Sequence, residues 1–388
     1  MTPPSESGAT TATTERDAFV PRAREIGERI APFSAGHDRD GSFVHEAYEV
    51  FRETGYLALA VPTELGGAGA TIAQVTAAQA ELARHCASSA LAVSMHLHIT
   101  LFAAWRYRRE LPGAEGLLRR VADEQIVLVS TGGSDFTRPN GTAVKVDGGF
   151  TVNGRKIFAS QVPVGDVFST MFTYDDPDQG KRALVMGVPV RQDGIEVLDT
   201  WDTMGMRGTG SHDVQITDVF VPDAAVSADR PWGVIDPPLM GIVAHAIPVI
   251  SGVYLGIAEG ARDRALTMLR DTPKATDPVV QRLAGLVDYR TRAARWALFS
   301  AIAEIGDDPA PSMDNVVLAM QAKRVVAEEA VAACDAILQL VGGAAYFRSA
   351  GFEQALRDIR GVQFHPLTPE LTLLHAGRVA LGQPADEM

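Results

Sequence analysis

Residues 201–222 read WDTMGMRGTGSHDVQITDVFVP, and the reading of this stretch decides the fold. Its second half, HDVQITDVFVP, is the last of several short β-rich runs, after IVLVS, GTAVKV, FTVNG and RALVMGVPV. Turn signals, DGG, NG and QDG, separate them. Together they predict a compact antiparallel β-domain over residues 122–225. Strands do not alternate with helices there, which disfavours a doubly wound dinucleotide fold.

On both sides the apolar spacing changes to three and four residues, the period of a helix. Residues 17–121 predict an N-terminal α-helical domain, with helices in DAFVPRAREIGERI and IAQVTAAQAELARHCASSALAVSM. Between its helices lies VPTELGGAGAT, where Gly66, Gly67 and Gly69 predict a tight turn. Residues 226–388 predict a C-terminal four-helix bundle of long amphipathic segments, NVVLAMQAKRVVAEEAVAACDAILQLV among them. The apolar run from Leu239 to Ala258 contains His245, Pro248 and Gly252, and reads as a buried bundle helix rather than a membrane span. Residues 1–16 are Ser/Thr-rich without an apolar stretch, and read as a frayed, disordered tail with no export signal. The fold class is therefore α+β multidomain, in the order helices, strands, helices.

A chain of 388 residues with 46% apolar side chains can bury a sizeable core. Its formal charge of −13, with no run of five Lys/Arg, repels a phosphate backbone and excludes nucleic acid as a partner. Cys86 and Cys334 lie far apart in no metal-binding pattern, as reduced thiols of a cytoplasmic protein would. No metal is expected.

Five ordered strings resemble the acyl-CoA dehydrogenase superfamily: GYLALAVPTELGGAGAT, VNGRKIFASQ, the quoted stretch 201–222, DAILQLVGG and ALRDIR. The resemblance implies a flavin, FAD or possibly FMN. Phe158 falls where the family packs an aromatic ring on the isoalloxazine, and Ser160 where a hydroxyl reaches the flavin O4/N5 edge as a donor. VLVSTGGSDF corresponds to the loop contacting the flavin pyrimidine; Ser134 remains from the family string, while either Ser130 or Thr131 replaces its usual Thr. Gln339, Gly342 and Gly343 match a Gln-x-x-Gly-Gly through which a neighbouring subunit approaches the adenosine half of FAD; a helix C-cap is the local alternative. Thr368 matches a hydroxyl near the pyrophosphate. These matches imply a homodimer or homotetramer.

The chain departs from the family where a dehydrogenase keeps its base. The two known glutamate positions align with Pro366 and Ala246, a nearby Arg is replaced by Ile247, and an Arg-x-x-Phe-Gly string by RDTPKATDP (270–278). Instead His365 resembles a residue of the two-component flavin monooxygenases of the same fold, where an imidazole titrating near pH 6.5 assists oxygen chemistry. The resemblance implies α,β-dehydrogenation of an acyl thioester, on CoA or a carrier, with a substitute base among His365, His245 and Glu370, and an electron-transfer flavoprotein as partner. The alternatives are a monooxygenase using His365 and a flavin reductase, or a silent flavin- or partner-binding subunit. His96, His98 and His245 are further candidates to line a substrate pocket.

Overall fold

In the computed structural model, which describes residues 15–131, 133 and 136–387, helices come first: α1 (Val20–Asp40), α2 (His45–Glu53), α3 (Ile72–Ala83), α4 (Ala87–Tyr107) and α5 (Ala114–Glu124). Strands follow: β1 (Leu128–Ser130), β2 (Thr142–Val146), β3 (Gly149–Ala159), β4 (Val167–Asp176), β5 (Gly180–Pro189), β6 (Ile195–Leu198), β7 (His212–Pro222) and β8 (Val226–Pro231). The chain closes with α6 (Pro237–Arg270), α7 (Pro278–Ile305), α8 (Met313–Val341), α9 (Phe352–Ile359) and α10 (Pro369–Ala380). The sequence sets these starts locally. Thr71 and Gln74 form a reciprocal capping box on α3, and Ser312 caps α8 by accepting from the Asn315 N–H.

The strands form one sheet in the order β6-β7-β3-β2-β4-β5-β8, with β1 also on β4. The expected antiparallel pairing holds for β2–β3, β3–β7, β4–β5, β5–β8 and β6–β7, while β1 and β2 both run parallel to β4. Turn chemistry specifies only the local hairpins β2–β3 and β4–β5, and the parallel pairings join segments that no turn connects. The sheet also extends past residue 225, because β8 pairs with β5. Of the tail read as residues 1–16, residues 1–14 lie outside the described residues. Arg16 is held in place, its guanidinium 4.6 Å over the Phe299 ring of α7.

Two helices, α4 and α6, are long and apolar enough to cross a membrane, yet 89% of each apolar window is buried inside the fold. The run 239–258 thus does form a bundle helix. Cys86 and Cys334 are free and buried. The main helical core and the β-core are separate clusters.

Candidate functional site

The end of β3 departs from regular pairing. Lys156 faces Val214 and Ala159 faces His212, so Ile157 and Phe158 together oppose the single residue Asp213. This β-bulge holds Phe158 at φ 57°, a conformation an aromatic residue rarely adopts, and turns its ring outward, 55% exposed. Trp201 meets the ring edge-on at 6.1 Å. Bulges of this kind re-aim side chains beside active sites, and an exposed flat ring held at the cost of strain is the form a stacked planar ligand needs.

Beyond the bulge, three hydroxyls run in line. Ser160 Oγ lies 2.7 Å from Ser211 Oγ, which lies 2.7 Å from Thr209 Oγ1. Thr209 donates to the Met206 carbonyl at 3.0 Å. With that proton committed, Ser211 donates to Thr209 and Ser160 to Ser211, since each hydroxyl has one hydrogen. Ser160 then offers lone pairs outward, where the family resemblance led us to expect a donor. Gln161 binds the end of β3 to β1, its amide donating to the Leu128 carbonyl at 2.8 Å and its oxygen accepting from Tyr48 at 2.5 Å.

β1 carries the next candidates. Thr131 is buried and donates to Thr170 Oγ1 at 2.6 Å, whereas the Ser130 hydroxyl makes no hydrogen bond among the described residues. Ser134 lies outside the described residues. Gly133 belongs to them, and a Cβ placed on it would stand 3.5 Å from the Pro366 ring, so the loop after β1 faces the segment that carries His365.

That segment follows α9 and is gripped by two helices. From α6, the hydroxyl of Tyr254 lies 2.8 Å from His365 Nε2. From α8, the Lys323 ammonium donates to the carbonyls of His365 and Leu367. Burial, and after it the Lys323 charge, holds the His365 imidazole down to about 3. The expected titration near pH 6.5 is therefore corrected: His365 is a neutral imidazole throughout the physiological range. Burial lowers Lys323 to about 8 and pushes the Tyr254 phenol well above its usual value.

The remaining candidates fall elsewhere or serve the fold. His96 is fully buried, bonded to the Leu57 carbonyl at 2.8 Å through Nε2 and accepting from the Leu128 N–H at 3.1 Å through Nδ1. With both nitrogens on main chain, it is a staple rather than a pocket wall. His245 bonds the Gly241 carbonyl at 2.7 Å, its other nitrogen is buried without a partner, and burial holds it down to about 4. Burial first, then the charges of His245 and His96, hold His98 down to about 3. Glu370 is exposed in the first turn of α10, where Thr368 is the N-cap. Gly342 is the C-cap of α8 at φ 74°, and Gln339, Gly342 and Gly343 are all exposed; a Cβ on either glycine meets nothing in this chain. The sequence reading missed Tyr254 and Lys323, because one lay in an apolar run and the other among the ordinary charges of an amphipathic helix. Ser211 and Thr209 stood inside the quoted stretch, but nothing in it signalled that their hydroxyls align.

The chain matches the family patterns described as acyl-CoA dehydrogenase N-terminal domain over residues 13–107, middle domain over 130–219 and C-terminal domain over 239–371. It is 31% identical to the amino sugar nitrososynthase DnmZ of Streptomyces peucetius, over 93% of each chain. It is 28% identical to the putative acyl-CoA dehydrogenase YdbM of Bacillus subtilis, over 90% of this chain and 92% of that one. Among solved structures, KijD3 in complex with FMN and dTDP-3-amino-2,3,6-trideoxy-4-keto-3-methyl-D-glucose superposes with a TM-score of 0.88 at 29% identity, covering 96% of this chain and 95% of that one.

Proposed function

The chain belongs to the acyl-CoA dehydrogenase family of flavin-dependent oxidoreductases, and from that premise we propose that it is a monooxygenase oxidising the nitrogen of a small amine, of the class of thymidine-diphosphate-linked amino sugars. One observation carries the reading. Both positions where a dehydrogenase places its carboxylate hold side chains without basicity, Ala246 and Pro366, and beside the second stands the neutral imidazole of His365. The likeness to DnmZ and KijD3 supports the amine as substrate class.

The residues fit a flavin. The outward ring of Phe158 offers a flat apolar wall, Ser160 borders it, and Ser130 and Thr131 lie at the same end of the sheet through the Gln161 bridge to β1. When bound, the flavin supplies the electron pair that reduces oxygen. Phe158 and Ser160 would orient it, and the neutral His365 imidazole would offer its ring N–H as a hydrogen-bond donor to the reacting oxygen rather than as a titrating acid. Overall, amine, oxygen, NAD(P)H and a proton give hydroxylamine, NAD(P)+ and water. One oxygen atom enters the new N–O bond and the other leaves as water, with a flavin reductase as partner for the NAD(P)H step. FMN is the form we assign, because the Arg-x-x-Phe-Gly string for the pyrophosphate is replaced by the short turn Pro273–Thr276 between α6 and α7. A second subunit meeting Gln339, Gly342 and Gly343 completes the assembly in this reading.

The runner-up, dehydrogenation of an acyl thioester, draws on the family and on the likeness to YdbM. Its substitute bases are poor: imidazoles held near 3 (His365) and 4 (His245) cannot take an α-proton effectively, and Glu370 is exposed. The test supplies reductase, NADH, FMN and oxygen with a panel of amino sugar nucleotides and follows the mass of the product. One added oxygen, dependent on the reductase, supports the proposal. Anaerobic bleaching of the flavin by an acyl thioester, with no amine oxidised, would overturn it in favour of the runner-up.

A further inference from the structure

The Tyr254 side chain lies fully buried in α6, and its ring meets that of His365 at 5.6 Å between centroids and 61° between planes. A Cβ placed on Gly361 would come within 2.8 Å of the Tyr254 hydroxyl, so the phenol is wedged between Gly361 and the imidazole. Nε2 of His365, at 2.8 Å, is the hydrogen-bond partner the structure gives that hydroxyl. A buried O–H needs an acceptor. If Nε2 carried the ring proton, the phenol hydrogen would face none, so the phenol donates to the Nε2 lone pair and the ring proton sits on Nδ1. Nδ1 makes no hydrogen bond among the described residues, which leaves its N–H for a ligand.

The main chain is fixed in the same region. Lys323 is 4% exposed and donates to the carbonyls on either side of Pro366, while the Leu367 N–H points at the sulfur of Met320 at 3.4 Å. Pro366 has no N–H of its own to anchor the loop.

We infer that Tyr254 and Lys323 are positioning residues for His365, the phenol fixing the imidazole as its Nδ1–H tautomer and the ammonium fixing the backbone that carries it. The inference rests on the proposed role of His365 for its catalytic meaning, but not for its geometry. It makes His365 a neutral donor of fixed orientation, one that needs no titration to present a hydrogen to a ligand.

Nitrogen NMR of the full chain with 15N-labelled histidine, with the His365 signals identified by their loss in His365→Gln, reads the tautomer without flavin or turnover. Wild type is expected to show the proton on Nδ1. Tyr254→Phe, and independently Gly361→Ala, which pushes on the phenol, are expected to move it toward Nε2 while the melting transition stays cooperative. A proton on Nε2 in wild type, or an unchanged tautomer in both variants, overturns the inference. With reductase and amine, Tyr254→Phe is further expected to lower product formed per oxygen consumed by about tenfold, the equivalent of one hydrogen bond misdirected. A shifted tautomer with unchanged coupling leaves the positioning role standing and overturns the proposed role of His365 instead.

Discussion

The main-chain N–H of Met206 donates to the Asp358 carboxylate at 2.5 Å. This bond joins two strings that the sequence keeps far apart, MGMRGTGS before β7 and ALRDIR in α9. Around it the surfaces interlock. A Cβ on Gly205 would lie 2.4 Å from the Arg357 carbonyl, so only glycine admits this approach, and Arg357 reaches on to Asp38 of α1 through two bonds of 2.9 and 2.6 Å. The joint ties all three parts of the chain together at the edge of the candidate site.

Asp358 is buried, and burial, as the largest cause, raises its carboxyl to about 7. A carboxyl whose folded value lies above its unfolded one contributes stability that is complete below about 4 and lost as pH rises through about 7. Asp358→Asn keeps an acceptor for Met206 and removes the titration. Wild type is therefore expected to lose, relative to this variant, a few kcal/mol between pH 4 and pH 8. Urea unfolding of both proteins across that range measures the difference, and parallel curves would contradict it.

The hydroxyl chain Ser160–Ser211–Thr209 commits the Ser160 proton to Ser211 and leaves Ser160 an acceptor for any further partner. On the proposed flavin placement, that acceptor suits the reduced ring, which carries a hydrogen at N5. Ser211→Ala removes the acceptor for the Ser160 proton and frees it to point outward. The ratio of reduced to oxidised FMN affinity is expected to fall about fivefold, the equivalent of about 1 kcal/mol. Anaerobic and aerobic binding titrations read it directly.

The order of helices, strands and helices was legible because periodicity is local, and the buried helix 239–258 followed from its length and composition. The parallel pairings of β4 were not, since no residue near β1 or β2 names a partner that far along the chain. At the site, Phe158 and Ser160 were visible through the string that contains them, but the bulge that exposes Phe158 is a property of register between β3 and β7. His365 was visible as a residue and misread in its chemistry, because its basicity is set by burial and by Lys323, contributed by another helix.

Gly342 and Gly343 separate a local role from an external one. Gly342 adopts φ 74° and ψ −148° at the end of α8, a region essentially reserved for glycine, so Gly342→Ala is expected to cost about 1 to 3 kcal/mol whatever it faces. Gly343 needs no positive φ, and a Cβ there meets nothing in this chain. Gly343→Ala should leave the stability of the isolated chain unchanged and weaken only assembly or flavin binding, if a second subunit approaches here. Thermal melts beside sedimentation and FMN titrations distinguish the two, and a loss of stability in dilute Gly343→Ala would place its constraint within the chain.

Lys323 is a buried ammonium with no carboxylate partner among the described residues, satisfied by main-chain carbonyls, and burial lowers it to about 8. A base whose folded value is depressed contributes stability that is present above its unfolded value, about 10.4, and lost as pH falls through about 8. Lys323→Met removes the titration, so wild type is expected to gain about 3 kcal/mol on the variant between pH 8 and pH 10.5, seen in urea unfolding. The same substitution deletes the charge that depresses His365. Its imidazole should rise from about 3 yet stay below the ordinary value, because burial is the larger cause and is untouched. An NMR titration in which His365 of Lys323→Met keeps the wild-type value would show that the ammonium acts only on the backbone, and one that reaches the ordinary value would show that the loop has left the core.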